Sequence, residues 1–301
     1  MKNRKFSDGD YMHIYQRTNR KYNIFYSHLD YLVYFTIFSI QATKMGINVL
    51  ELCLMIDHLH MLILGNTMDD ISRFICTVSS TFVREYNRAA GRIGALFEKR
   101  FGSAPKRGRK KLVTACIYIG NNPVEKKICA RAEQYRWNFI AYLNSSHPFS
   151  DKIIIDQASI RLRRAINTVK SHHEQGKYLN YALLLRLFLG LNPKEAAQLT
   201  DYIINKYSVL DKNSLCKIFS SYPLMLEAMH STVGSEYEIN EDFDPHPDTV
   251  YREMFRYVRN NITPDIRKVT TWSLEEKMKL AGQMKAKLGV AMWQIAKFLH
   301  I

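Results

Sequence analysis

The stretch Ile56-Asp57-His58-Leu59-His60-Met61-Leu62-Ile63-Leu64 decides how this chain is read. It is apolar and β-prone, so it predicts a strand over 58–64. Two histidines interrupt it one residue apart. Strand side chains alternate faces, so His58 and His60 point the same way and Leu59 points into the opposite layer. Two imidazoles on one rigid face can chelate a divalent ion. The pair alone is a weak signal, because the chain of 301 residues holds ten histidines and such spacing also arises by chance.

Elements of alternating type flank that strand. Tyr11–Arg17 predicts a first strand, followed by a basic turn at Asn19 to Lys21. Ser27 and His28 open an amphipathic helix through about Lys44, with Leu29, Leu32, Val33, Thr36, Ile37 and Ile40 at helical spacing. Gly46 is a plausible stop. Ile47–Ile56 predicts a strand joined to 58–64 by a tight connection at Asp57. Asn66 or Thr67 can cap a long helix from about Met68 to Ala90, closed by Gly91. Its apolar stripe is Ile71, Phe74, Ile75, Val78 and Phe82. The opposite stripe holds Arg73, Thr77, Arg84 and Arg88, which is either a solvated face or a DNA contact. Ala95–Phe101 predicts a fourth strand. The order β-α-β-β-α-β is the ferredoxin-like, α+β arrangement, with helices on one face of a four-stranded antiparallel sheet.

A run of cations follows. Lys99, Arg100, Lys106, Arg107, Arg109, Lys110 and Lys111 crowd residues 98–111, with two glycines and a proline among them. This predicts a mobile, positive loop that either neutralises phosphates along a nucleic-acid strand or serves as a solvated linker. A helix from Leu112 to about Asn121 comes next, stopped by Pro123. Arg136–Leu143 carries Trp137, Phe139 and Tyr142 and is expected to pack back on the first domain.

Composition narrows the partner. Lys and Arg total 43 against 28 Asp and Glu, a formal net charge of +15. A soluble chain this basic usually meets a polyanion, and nucleic acid is the default. The five cysteines lack Cys-x-x-Cys spacing, which suggests reduced thiols in a cytosol. No apolar signal core opens the chain, and no apolar run is long enough to span a bilayer. P-loop and Gly-rich dinucleotide motifs are missing.

The turn-rich segment Asn144–Ser150 divides residues 1–148 from a region, 149–301, without strand patterns. Ser159–His173, Tyr178–Gly190, Pro193–Tyr207, Asn213–Met229 and Thr249–Asn260 read as helices, and Ser235–Asp248 as an acidic loop. Ser273-Leu274-Glu275-Glu276 is a capping box opening a basic amphipathic helix. After Gly289, Met292–Leu299 is a short last helix. The pair resembles the opening of a helix-turn-helix whose third helix would start after Ile301.

The helix after the basic run contains Cys116-Ile117-Tyr118-Ile119-Gly120-Asn121-Asn122-Pro123-Val124. Tyr118 and Asn122 are four apart, so one helical face can present a phenol and an amide oxygen. Pro123 disfavours helical geometry at Asn122. Taken alone, a tyrosine near a helix end is also an ordinary packed side chain, and the chain has eighteen.

As a set, these features resemble the single-tyrosine HUH nucleases, and among them the REP-associated tyrosine transposases, relatives of the single-strand insertion-sequence transposases. The resemblance spans about residues 11 to 143. It rests on H-I-Y-Q-R-T-N-R at 13–20, C-L-M-I-D-H-L-H-M-L-I at 53–63, Y-I-G-N-N-P-V at 118–124 and Y-R-W-N-F-I-A-Y at 135–142. One departure is visible: the family usually has Pro-Asn or Pro-Asp before the first histidine, and Ile56-Asp57 stands here. The resemblance implies an HUH domain in which His58, His60 and Asn122 bind Mg²⁺ or Mn²⁺ and Tyr118 attacks DNA. It further implies cleavage and rejoining of single-stranded DNA at repeat-borne hairpins through a 5′-phosphotyrosine. One nucleophile per chain implies a homodimer or two rounds of reaction. A cytoplasmic, nucleoid-associated protein is expected. The alternative is a non-catalytic DNA-binding regulator using the basic run and the C-terminal helices.

Overall fold

The computed structural model describes residues 6–98, 100–231 and 248–301. Lys99 and most of the acidic segment 235–248 lie outside the described residues. Four strands, β1 (Met12–Arg17), β2 (Asn48–Leu54), β3 (His58–Leu64) and β4 (Gly102–Pro105), form one sheet in the order β2-β3-β1-β4. All three pairings are antiparallel. With α1 (His28–Met45) after β1 and α2 (Met68–Ala90) after β3, this is the ferredoxin-like arrangement. A long run of helices, from α4 (Ile160–Glu174) to α11 (Met292–Leu299), follows.

Local chemistry explains the boundaries of the first helices. Ser27 opens α1, and its backbone N–H and hydroxyl both donate to Asp30. The Thr67 hydroxyl accepts from Asp70 N at 3.0 Å to open α2. Gly46 and Gly91 close the two helices in the left-handed conformation.

The two faces of the sheet separate cleanly. Tyr15 lies opposite His60 and His13 opposite Leu62, so His13, Tyr15, His58 and His60 share one face. Gln16 points to the other face, where Ser79 of α2 donates to it at 3.0 Å. The helices α1 and α2 therefore cover the face away from the histidines. The histidine face is covered by α3 (Gly108–Glu125), which packs on β2 and β3.

Several elements differ from the expectation. The fourth strand is Gly102–Pro105 rather than Ala95–Phe101, although Phe97 still bridges to Thr18. The ladder with β1 is decided by backbone pairing, and the residues Gly-Ser-Ala-Pro carry little β-propensity of their own. The basic run is not one continuous loop. Arg100 precedes β4, Lys106 and Arg107 form the short link to α3, Arg109, Lys110 and Lys111 lie in the first turn of α3, and Lys106 is only 2% exposed. The helix runs past Pro123 to Glu125, because proline removes only one backbone bond and the last turn is buried with its neighbours. Asn213–Met229 is broken into α7 (Lys212–Phe219) and α8 (Tyr222–Ser231), with Ser220 left-handed between them. The helix α1 is apolar nearly all round rather than amphipathic, since α5 (Tyr181–Phe188) and α6 (Pro193–Tyr207) cover its outer side.

Residues 132–143 pass around the β2 edge as three short 3₁₀ turns. The Tyr135 hydroxyl donates to Leu54 O at 2.8 Å. Trp137 stacks on Tyr31 and Phe139 on Phe35, both at 4.4 Å between centroids. The same edge is shielded by Leu210, which bridges to Val49. The last two helices, α10 (Leu274–Leu288) and α11 (Met292–Leu299), return to the segment between β1 and α1. Tyr26 donates to Phe298 O at 2.7 Å and Asn23 N to Lys297 O at 3.2 Å. The apolar face of α11, with Ile295, Phe298 and Leu299, is buried. Among the described residues, no helix is long and apolar enough to cross a membrane.

Candidate active site

The site is built where α3 crosses the histidine face of the sheet. Central strand β3 fixes the backbone of His58 and His60 on both sides. The helix brings Tyr118 against them. Its ring stands edge-on to His60, with centroids 5.6 Å apart at 87°. One turn later, Asn122 Oδ1 lies 3.4 Å from His58 Nε2. The amide's other end is 3.4 Å from Tyr118 O, so Nδ2 turns back along the helix and Oδ1 outward. The four residues singled out by pattern, His58, His60, Tyr118 and Asn122, are thus brought together. Gly120 permits this placement of α3. A Cβ there would meet Met229 of α8 at 2.8 Å and Ile140 at 2.9 Å.

A fifth residue, His13, belongs to the same cluster. It opens the stretch 13–20 that carries part of the resemblance, but the sequence pattern does not single it out as a site residue. It is fully buried, and its Nε2 is 3.1 Å from His60 Nδ1. Its ring also lies 5.7 Å from Tyr118. Burial pushes the His13 pKa well below the usual value, and His60 and Lys106 push it further the same way. A neutral His13 can accept a hydrogen bond from His60 Nδ1–H. The available signal was its place two residues before Tyr15 in a strand, which puts it on the histidine face once β1 and β3 are paired.

Asp57 performs the matching task for His58. Its Oδ1 is 2.6 Å from His58 Nδ1, and its Oδ2 is 2.6 Å from Lys297 Nζ. Burial alone would raise the Asp57 carboxyl, but His58 and Lys297 overcome that and hold it well below the usual carboxylate range. Asp248, close by, is pushed up to about 7 by burial and by the charge of Asp57, against Lys297 and Lys126.

The donor set fits a hard-to-borderline divalent ion. Each histidine has its Nδ1 committed to a neighbour, Asp57 or His13, which makes Nε2 the nitrogen that can face an ion. Two imidazoles and one amide oxygen leave positions for phosphate oxygens and water. Among the described residues, no group of three or more His, Cys, Asp or Glu side chains is arranged to hold a metal. The candidate third ligand is an amide, outside those four residue types.

The cations are distributed more widely than the pattern suggested. Arg107 is exposed, 3.0 Å from Ser7 Oγ and 3.6 Å from Asp10. Arg109 donates twice to Ile218 O, capping the end of α7. Arg100, Lys110 and Lys111 are exposed. Lys106 is enclosed near His13 and cannot meet a nucleic-acid backbone from that position. Arg84 and Arg88 are exposed on α2, behind the sheet, and Arg88 pairs with Glu85 at 3.5 Å. The structure does not bring them to the histidines.

Residues 8–122 match the family described as "Transposase IS200 like". That stretch holds all five site residues and is similar to this family. A solved structure described as "Structure of the REP associates tyrosine transposase bound to a REP hairpin" is similar at 17% identity, with a TM-score of 0.39. The similarity covers 47% of this chain and 83% of that one. No curated protein matches the chain.

Proposed function

We propose that this protein cuts and rejoins single-stranded DNA at hairpin-forming repeats, with Tyr118 as the nucleophile. His58, His60 and Asn122 would hold Mg²⁺ or Mn²⁺. The observation that carries this reading is the convergence of a tyrosine, two histidines and an amide oxygen on one sheet face. In this reading residues 1–148 carry the chemistry and 149–301 serve docking or DNA binding, in a cytoplasmic, nucleoid-associated protein.

A bound divalent ion supplies charge neutralisation at the scissile phosphate. The chain's own residues do the rest. Tyr118 Oη attacks the phosphorus and loses its proton. The bond from phosphorus to the 3′ oxygen breaks, and that oxygen leaves as a 3′-OH after taking a proton. The 5′-phosphate ends on the tyrosine. The new ester conserves the bond energy, so a 3′-OH from another strand can reverse the step without a nucleotide cofactor. His58, His60 and Asn122 bind and orient; His13 and Asp57 hold the imidazoles. The burial of Tyr118 limits access of water to the ester.

The test is a denaturing gel for covalent protein–DNA adducts, with single-stranded hairpins and Mn²⁺. Wild type should give an adduct whose nucleotide maps to the peptide containing Tyr118. Tyr118→Phe should lose adduct and cleavage together while still binding the hairpin. Its stability should change by no more than about 1 kcal/mol, because only one hydroxyl is removed. Cleavage by Tyr118→Phe would overturn the assignment. Hairpin binding by wild type without any adduct would favour a non-catalytic DNA-binding regulator.

A further inference from the structure

We propose that the C-terminal helix α11 completes the ion site from a distance: Lys297 positions Asp57, and Asp57 positions the ligand His58. This rests on the reading of His58 as a metal ligand. The chain of contacts is short and closed. Lys297 Nζ is 2.6 Å from Asp57 Oδ2, and Asp57 Oδ1 is 2.6 Å from His58 Nδ1. His58 Nε2 then points to Asn122 Oδ1 at 3.4 Å. A carboxylate held on both oxygens by opposed donors has little freedom to turn. The imidazole that donates to it is fixed in ring plane and tautomer.

Most lysine–carboxylate pairs on a surface do little, because both side chains remain mobile and hydrated. This one is different in its setting. The two side chains are 10% and 11% exposed. The end of α11 is also fixed at the lysine and just after it. Asn23 N donates to Lys297 O at 3.2 Å, Tyr26 donates to Phe298 O at 2.7 Å, and His300 Nε2 donates to Asn23 O at 2.6 Å. Asp248, at the start of α9 (Thr249–Asn261), is tied to Lys126 O by its own N–H at 3.2 Å and adds a second carboxylate to the cluster. The helical region supplies no ligand in this arrangement. It supplies the cation that keeps the supporting carboxylate in place. Lys297 and Asp57 are positioning residues.

The experiment uses the full chain without DNA and titrates Mn²⁺ by calorimetry. Wild type should bind, and His58→Ala should not. Lys297→Met, which keeps the apolar stem, should bind at least about tenfold more weakly, as expected when an outer-shell partner is lost. Lys297→Arg should recover most of the affinity. Lys297→Met binding Mn²⁺ as wild type does, while His58→Ala does not, would overturn the proposal and leave the site reading intact. Binding by His58→Ala equal to wild type would remove the site reading and the proposal with it. A readout independent of any variant is the tautomer of His58 in metal-free wild type, seen in long-range ¹H–¹⁵N spectra. The Nδ1–H form supports the chain of contacts, and the Nε2–H form overturns it.

Discussion

A neutral imidazole has one donor nitrogen and one acceptor nitrogen, and the His13–His60 contact uses one of each. His13 Nε2 and His60 Nδ1 are 3.1 Å apart with both rings fully buried. Since burial keeps His13 neutral, the proton between them can belong to His60. That arrangement leaves His60 Nε2 as the ligand nitrogen. His13→Phe fills much of the space but removes the acceptor. The buried His60 N–H would then lose its partner, at a cost of about 1–3 kcal/mol. Mn²⁺ affinity should fall as well, while hairpin binding persists. Chemical denaturation of the metal-free protein and a Mn²⁺ titration check the two effects, and an unchanged variant in both would assign His13 to packing alone. The sequence pattern could mark His58 and His60, because their spacing sits within one strand. His13 lies on another strand, and only the β1–β3 register shows that it faces His60.

Helix α11 shows what local pattern can and cannot reach. Its bounds, like those of β3 and α2, follow from apolar period and capping residues that act within one element. Its docking follows from groups far away in the chain. His300, just after the helix, donates to Asn23 O and stacks on Tyr22 at 4.5 Å. Burial pulls its pKa down to about 4. His300 resists protonation when folded and accepts it readily when unfolded. Stability is therefore fully present above about pH 6.5 and is lost as pH falls toward 4. His300 can contribute up to about 3 kcal/mol of that loss. His300→Gln keeps a donor for Asn23 and removes the titration, so its melting temperature should fall less steeply between pH 6.5 and 4. An identical slope would mean that α11 docking does not depend on this ring. The fourth strand was misplaced for the same kind of reason: Ala95–Phe101 has the apolar residues, but the pairing with β1 falls on Gly102–Pro105. The break between α7 and α8 at Ser220 is likewise invisible in an apolar period that runs through both.

At the scale of the whole molecule, a single cluster of buried apolar residues extends from Met12 to Leu299. Buried charges cross from one region to the other within it. Asp30 of α1 accepts from Tyr181 at 2.8 Å and lies 3.6 Å from Arg267, and Tyr142 donates to Asp201 at 2.7 Å. A chain folded this way spends few of its cations on the interior, and the net charge of +15 is carried largely on the surface. Arg107, Lys110 and Lys111 are exposed at the opening of α3, where the helix dipole adds to their field. That end lies about ten residues, or roughly 15 Å, from Tyr118 along the same helix. Lys106 is excluded from this set because reversing a buried charge would damage the fold beside His13. Replacing Arg107, Lys110 and Lys111 together by Glu should weaken binding to single-stranded DNA of any sequence. Each phosphate contact releases counterions, with a slope of about −0.7 in log K against log salt on a single strand. Losing three contacts should flatten the slope by about 2. Reversal of Arg84 and Arg88, on the helix behind the sheet, should leave the slope unchanged. Fluorescence anisotropy across a salt series measures both. Equal slopes for wild type and the triple variant would place the DNA path elsewhere, and a flattened slope for the α2 variant would require the strand to wrap around to the far face of the sheet.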